Sequence, residues 1–224
     1  MYWNPVPRRA PIFWSILLAW RVAGGVAHAD CLVDQEQSLG SALVHTVGSF
    51  GESHYRVAQT FTTGVNGVLG EVQVRGCVSA EPAGTGPLTL QIFPTVAGVP
   101  DESAGALLTH VVPFSELPVG VFPIPDVAFD VSSYALPVQD GDVLALTLST
   151  PSGAFLWVLR SSAPYGGGTA WTREESATGW TDNPADLTFR TVVCAATVSV
   201  ETPQLAETSW GATKSAYRGV VVPD

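Results

Sequence analysis

Residues 139–149 have the sequence Gln-Asp-Gly-Asp-Val-Leu-Ala-Leu-Thr-Leu-Ser and carry the clearest structural signal in the chain. The Asp140-Gly141 dipeptide favours a tight turn, because glycine adopts a positive φ at little cost. After the turn, three leucines two residues apart share one face of an extended chain: Leu144, Leu146 and Leu148. This alternation predicts a β-strand with one apolar face that is entered through a tight turn.

The same kind of segment recurs along the chain, whereas helical periodicity is nearly absent between residues 30 and 200. Short β-rich runs alternate with Gly, Pro, Ser and Asp. The predicted strands are residues 31–37, 55–62, 70–78, 87–93, 107–112, 125–131, 143–149, 154–160, 169–173 and 187–198. Many short strands at this spacing predict an all-β fold, an antiparallel jelly-roll β-sandwich over residues 30–200. Without βαβ alternation, a parallel α/β fold is not expected.

The two ends of the chain differ from this central part. Residues 1–29 contain the basic pair Arg8-Arg9, an apolar run at residues 12–20 and a small-x-small site ending at Ala29. They predict a signal peptide cleaved before Asp30, and hence a secreted, extracellular protein, with an uncleaved anchor as the alternative. Residues 201–224 form a separate C-terminal tail, in which residues 208–218 are predicted to make a short helix that needs a docking surface.

The charge of the chain is strongly negative. Its formal net charge is −10, and removal of the three arginines within residues 1–29 takes it to −13. Lys214 is the only lysine. Because such a surface repels phosphate groups, neither nucleic acid nor an anionic membrane is expected as a partner. No hydrophobic helix followed by basic residues is visible near the C-terminal end, so no stable membrane anchor is expected after cleavage.

Three cysteines remain after the predicted cleavage, and an exported protein can keep a disulfide. Cys77 and Cys194 each share strand parity with an arginine, Arg75 and Arg190. Alternation then places both cysteines on the outer faces of their strands and favours a Cys77–Cys194 disulfide. A Cys31–Cys194 bond is the main alternative, since spacing alone does not fix connectivity.

No residue pattern indicates a catalytic centre or a cofactor site. The mature chain has three histidines, His45, His54 and His110, none in a metal-ligand spacing, and they are interpreted as exposed loop residues. Neighbouring carboxylates are interpreted as solvated or turn-capping acids: Asp34 and Glu36, Asp140 and Asp142, Asp182 and Asp186. The chain is therefore predicted not to be an enzyme and to need no cofactor. Structural calcium, which oxygen-rich loops bind, is the open alternative.

The candidate ligand-binding residues are aromatic. Tyr165, Trp171 and Trp180 lie in or beside a Gly-rich loop and a polar hairpin. Exposed aromatic faces next to polar groups are suited to stacking on sugar rings, so these three residues are predicted to line a ligand surface. In the alternative interpretation, Trp171 and Trp180 pin their hairpin to the sandwich.

The order of several short motifs resembles a known group of proteins. The motifs are Ala-Gln-Thr-Phe-Thr at 58–62, Pro-Leu-Thr-Leu-Gln-Ile at 87–92, Gly-Asp-Val-Leu-Ala-Leu at 141–146 and Asp-Leu-Thr-Phe-Arg-Thr at 186–191. Over residues 35–194 the chain resembles the jelly-roll domains of exported bacterial proteins often labelled choice-of-anchor domains. The resemblance implies a β-sandwich similar in shape to carbohydrate-binding modules, and it implies no catalytic residues.

These observations predict a secreted, non-catalytic module that binds a glycan or another cell-surface component. One alternative is a structural component of a secreted or surface assembly, with the C-terminal tail as its docking element. The other alternative is a hydrolase, which requires a cleft with two opposed carboxylates.

Overall fold

The structure is a computed structural model that describes residues 30–37, 43–80, 86–120, 122–160 and 165–196. The predicted signal peptide and the predicted C-terminal tail lie outside these ranges. Among the described residues there is no helix with the length and hydropathy that a membrane crossing requires.

The described chain is all-β, as predicted, with three short 3₁₀ helices at Glu102–Ala104, Phe114–Glu116 and Ser132–Tyr134. Its strands are β1 (Cys31–Gln37), β2 (Val44–Phe50), β3 (Ser53–Thr62), β4 (Gly67–Val78), β5 (Leu88–Val96), β6 (Val99–Pro100), β7 (Leu108–Val112), β8 (Asp126–Asp130), β9 (Pro137–Val138), β10 (Val143–Ser149), β11 (Ala154–Arg160), β12 (Ala170–Glu174), β13 (Thr181–Asn183), β14 (Asp186–Leu187) and β15 (Phe189–Cys194).

The strands pair antiparallel in two layers that strand β2 connects. The first layer has the order β13-β12-β3-β10-β5-β7, and the second has the order β1-β15-β4-β11-β2. Residues 44–48 of β2 pair with β11, whereas residues 48–50 pair with β3. Gly48, at the point of change, has a φ of +91°. The two layers therefore belong to one continuous hydrogen-bonded sheet and form the predicted β-sandwich.

The core lies between the two layers. Phe61 of the first layer contacts Phe189 of the second, with ring centroids 5.8 Å apart. Trp157 is fully buried, and its indole Nε1 donates a hydrogen bond of 2.7 Å to the backbone oxygen of Thr188. The three leucines of the 143–149 segment belong to this core, and the residues between them, Ala145 and Thr147, are buried as well.

One long side of the sandwich is closed by aromatic contacts. The ring of His110 on β7 lies 6.1 Å from that of Phe129 on β8 and 5.9 Å from that of Tyr134. These contacts join the edge of the first layer to the second layer. On the opposite side, the edge strand β2 and the β12–β13 hairpin leave the space between the layers open.

The predicted Cys77–Cys194 disulfide is wrong, because the structure joins Cys31 to Cys194. Cys31 and Cys194 lie directly opposite each other in the β1–β15 pair. Cys194 also lies opposite Val68, near one end of β4, whereas Cys77 is nine residues further along that strand. Nine residues of strand span about 30 Å, and a disulfide requires Cα atoms within about 7 Å. Cys77 is instead a buried free cysteine.

The strand prediction missed β2 and the short strands β6, β9 and β13, and it merged β14 with β15. Strand β2, Val44–Phe50, was not predicted at all. The predicted strand at 187–198 is interrupted at Thr188, whose side-chain hydroxyl and backbone N–H both donate to the backbone oxygen of Val158. This bonding to β11 separates β14 from β15.

Candidate functional site

The open side of the sandwich forms a groove, here called the edge groove. Its apolar half has a volume of about 530 Å³, and its polar half has a volume of about 450 Å³. His45, Tyr55 and Thr172 line both halves and therefore join them. The groove is possible because β2 leaves β3 to pair with β11, while β12 continues along the other edge of β3.

The apolar half offers an exposed aromatic ring. Besides the three shared residues it is lined by Val44, Thr46, Phe50 and Leu156. The Phe50 side chain is 66% exposed, next to the β2–β3 turn. An exposed ring above an apolar floor supplies a face on which a flat ligand can stack.

His45 holds the middle of the groove in a defined hydrogen-bond arrangement. Its Nδ1 lies 3.1 Å from the backbone oxygen of Thr46, and its Nε2 lies 3.0 Å from the hydroxyl of Thr172. A carbonyl oxygen only accepts, so Nδ1 carries the proton and the neutral ring's Nε2 accepts from Thr172. The ring also meets Tyr55 edge-to-face, with centroids 6.5 Å apart.

Burial sets the protonation state of this ring. Loss of solvent lowers the pKa of His45 below its ordinary value of 6.5, and the hydrogen bond to Thr46 acts in the opposite direction with the smaller effect. The neutral form is therefore favoured, and the groove centre is uncharged at neutral pH.

The polar half is rich in oxygen atoms. Glu174, Thr181, Asp182 and Asn183 line it beside the shared residues. The Ser53 hydroxyl donates a hydrogen bond of 2.7 Å to Glu174 Oε1, which orients this carboxylate. Carboxylate and amide oxygens accept hydrogen bonds from hydroxyl or amino groups of a ligand, so the groove combines stacking with directional recognition.

Two of the three predicted ligand residues lie together, but outside the edge groove. Trp171 lies opposite Ala58 in the β12–β3 pair, and its neighbour Ala170 is buried in the core. Because side chains alternate along a strand, Trp171 faces the outer side of the first layer. The Arg173 guanidinium shares that side and lies 5.1 Å from the centre of the Trp180 ring.

Ion pairs fix the arginine that stacks on Trp180. Arg173 Nη1 lies 2.6 Å from Glu102 Oε2, and Arg56 Nη1 lies 3.2 Å from Glu102 Oε1. Trp180 thus has a partner within its own hairpin, and the ion pair of Arg173 joins that hairpin to Glu102. The ligand-binding role of Trp171 and Trp180 stays a prediction.

Tyr165 is not on the surface that holds the two tryptophans. Its ring packs edge-to-face on Phe189 of the second layer, with ring centroids 5.1 Å apart, and lies against the core. Its hydroxyl donates to Gln35 Oε1 at 2.5 Å, and its backbone N–H donates to Asp186 Oδ2 at 2.6 Å. Burial raises the pKa of the Tyr165 hydroxyl to about 12. The structure thus does not bring the three predicted residues onto one surface, and a ligand role for Tyr165 stays a prediction.

Three of the six carboxylates singled out in the sequence accept hydrogen bonds within the fold. Asp142 accepts from the backbone N–H of Gln139, and Asp34 accepts from that of Gly64. The buried Asp186 accepts from Gln59 Nε2 at 3.3 Å. Within the described ranges, no three His, Cys, Asp or Glu side chains are grouped to hold a metal ion.

The edge groove itself was missed in the sequence, because it depends on the unpredicted strand β2. His45 and His54 were interpreted as loop residues, but they lie on β2 and β3, and His110 lies on β7. A usable signal was present at Gly51-Glu52. A two-residue connection with glycine first is typical of a β-hairpin, and Gly51 has a φ of +62°.

Comparisons with known proteins do not place the chain in a family. No protein-family model matches the sequence. No curated protein matches it either. Among solved structures, it is similar to the cysteine protease and lectin-like domains of Cwp84, a surface layer associated protein of Clostridium difficile, with 8% identity and a TM-score of 0.44. That similarity covers 71% of this chain and 37% of the other. The resemblance to choice-of-anchor domains stays a prediction.

Proposed function

We propose that the chain is an exported, non-catalytic module that binds a glycan in the edge groove. The observation that carries this proposal is the combination of an exposed aromatic ring, Phe50, with hydrogen-bonding groups along one open groove. Sugar rings have an apolar face and a polar rim, and this groove offers a partner for each.

The shape of the groove supports a chain-like ligand. The two halves continue into each other through His45, Tyr55 and Thr172, so an extended ligand can lie across both. These three residues belong to three different strands, β2, β3 and β12, which fix the distance between the groove walls. A rigid, preformed groove lowers the entropy cost of binding.

An extracellular site of action is supported by the disulfide. The Cys31–Cys194 bond joins residues 163 positions apart and closes almost the whole described chain into one loop. Disulfides persist mainly in oxidising compartments, which agrees with the predicted export. Binding without catalysis is part of the proposal, as in the sequence interpretation.

A glycan array tests the proposal, with residues 30–224 as the probe and with calcium present in one of two parallel arrays. F50A is the decisive variant, and F122A is its matched control. Phe122 is also exposed, at 87%, but does not line the edge groove, so both substitutions remove a solvent-exposed ring. We expect F50A to weaken glycan binding by about tenfold, since stacked aromatic rings are common hot spots, and F122A to bind like the parent.

The same array tests the predicted aromatic residues. If Trp171, Trp180 or Tyr165 line the ligand surface, then W171A, W180A or Y165A will lose binding while F50A keeps it. That outcome moves the site away from the edge groove. If the parent protein binds no glycan under either condition, the proposed function is wrong and an assembly role becomes the better account.

A further inference from the structure

The polar half of the edge groove carries negative charge that nothing positive in its lining balances. Glu174 lines this half, and it shares the groove face of β12 with Thr172. An adjoining recess shares Glu174 and adds Glu52 and Glu175. Among the described residues that line the groove and this recess there is no lysine or arginine.

The arginine nearest in sequence faces away. Arg173 precedes Glu174 on β12, and alternation places their side chains on opposite faces of the strand. Arg173 is paired with Glu102, which also pairs with Arg56. His54 Nδ1 lies 3.4 Å from Glu175 Oε2, but this ring balances a carboxylate only when it is protonated. Glu174 therefore has no arginine or lysine beside it among the described residues of the groove lining.

From this charge distribution we propose that the ligand of the edge groove is a saccharide with free, protonated amino groups. The inference rests on the proposed function and names the class of glycan. The apolar half, with Phe50 and Leu156, receives the sugar ring faces, and the acidic half receives the ammonium groups.

Other classes of saccharide fit this groove less well. A uronate or sulfated glycan would bring like charges together, and the chain's net charge of −10 adds to that repulsion. A neutral sugar can stack and hydrogen-bond, but gains no ion pair with Glu174 or Glu52. An ammonium group gains a charge-assisted hydrogen bond with each carboxylate that it reaches.

Isothermal titration with three hexasaccharides tests the inference. They are hexaglucosamine, its fully N-acetylated counterpart and hexagalacturonate, measured slightly below neutral pH so that the amines are protonated. We expect hexaglucosamine to bind about tenfold more tightly than the N-acetylated hexamer, and hexagalacturonate not to bind. The preference should shrink as salt is added, because exposed ion pairs are screened.

Two charge-neutralising variants identify the carboxylates. E174Q and E52Q should each reduce the preference for hexaglucosamine by about threefold, as expected for partly exposed ion pairs. E116Q is the matched control, because it removes the same charge from an exposed 3₁₀ helix outside the groove lining. Unfolding midpoints equal to that of the parent show that the variants are folded.

The outcomes separate this inference from the proposed function. If the N-acetylated hexamer binds as tightly as hexaglucosamine, or if E116Q acts like E174Q, the amino-sugar inference is overturned while glycan binding stands. If hexagalacturonate binds best, the groove prefers an anionic saccharide and the inference is overturned. If none of the hexamers binds and the array is also blank, both are wrong.

Discussion

At the scale of single residues, His45 connects the stability of the fold to pH. Its ring is neutral because burial lowers its pKa below the ordinary 6.5. Below about pH 6.5 the unfolded chain protonates this histidine more readily than the folded chain does. The free energy of unfolding therefore falls as the pH drops from about 6.5 through the folded-state pKa, and it is unaffected by this group at higher pH. Urea unfolding of the parent and H45Q between about pH 8 and pH 5 should therefore show a steeper loss of stability for the parent. Parallel curves would contradict the assigned protonation state.

Trp180 is the second residue whose substitution should change the free energy of unfolding measurably. The Arg173 guanidinium over its ring is partly buried and held by Glu102, so the stacking is not fully screened by water. W180A should lower the free energy of unfolding by about 1–2 kcal/mol, the range for a partly desolvated cation–π contact. W180F keeps a ring face and should recover part of that loss in the same denaturation assay. Equal stability of W180A and the parent would show that the hairpin is held in another way.

At the scale of strands, the disulfide gives the sharpest prediction. The paired variant C31A/C194A should lower the free energy of unfolding by about 2–5 kcal/mol, because the unfolded chain loses its only long-range constraint among the described residues. C77A removes no cross-link and should cost less, although its site is buried. Non-reducing peptide mapping should recover one linked pair of peptides that contain Cys31 and Cys194. A linked peptide containing Cys77 would contradict the observed pairing.

The strands also show what could be predicted from the sequence and why. Where turn residues delimit a β-rich run, the predicted bounds are correct to the residue, as for Val143–Ser149 and Ala154–Arg160. The parity of Cys77 did not predict its burial, because the last three residues of β4 are all buried whichever face they take. Pairing partners depend on which strands become neighbours. That information is not present in any local pattern, so the disulfide was misassigned.

At the scale of the whole molecule, the sandwich was predictable and its groove was not. Short strands with an apolar face, separated by many turns, must pack as two layers to bury those faces. The sequence shows the apolar faces and the turns. The groove needs β2 to change layers at Gly48, a position that contacts Gly153 and Thr150 so closely that a Cβ atom would lie 2.4 Å from each. Only the three-dimensional packing explains why glycine stands there. The groove residues come from strands far apart in sequence, so no single window contains the site.

The central claim is that the ligand lies in the edge groove, and the three histidines among the described residues provide the most direct test. His45 lies in the groove, His54 lies in the adjoining recess, and His110 lies on the closed side of the sandwich. With ¹⁵N-labelled histidine, titration with hexaglucosamine followed by NMR should shift the ring signals of His45 and His54 and leave those of His110 unchanged. A bound ligand that leaves His45 unchanged, or that shifts His110 instead, would contradict the account.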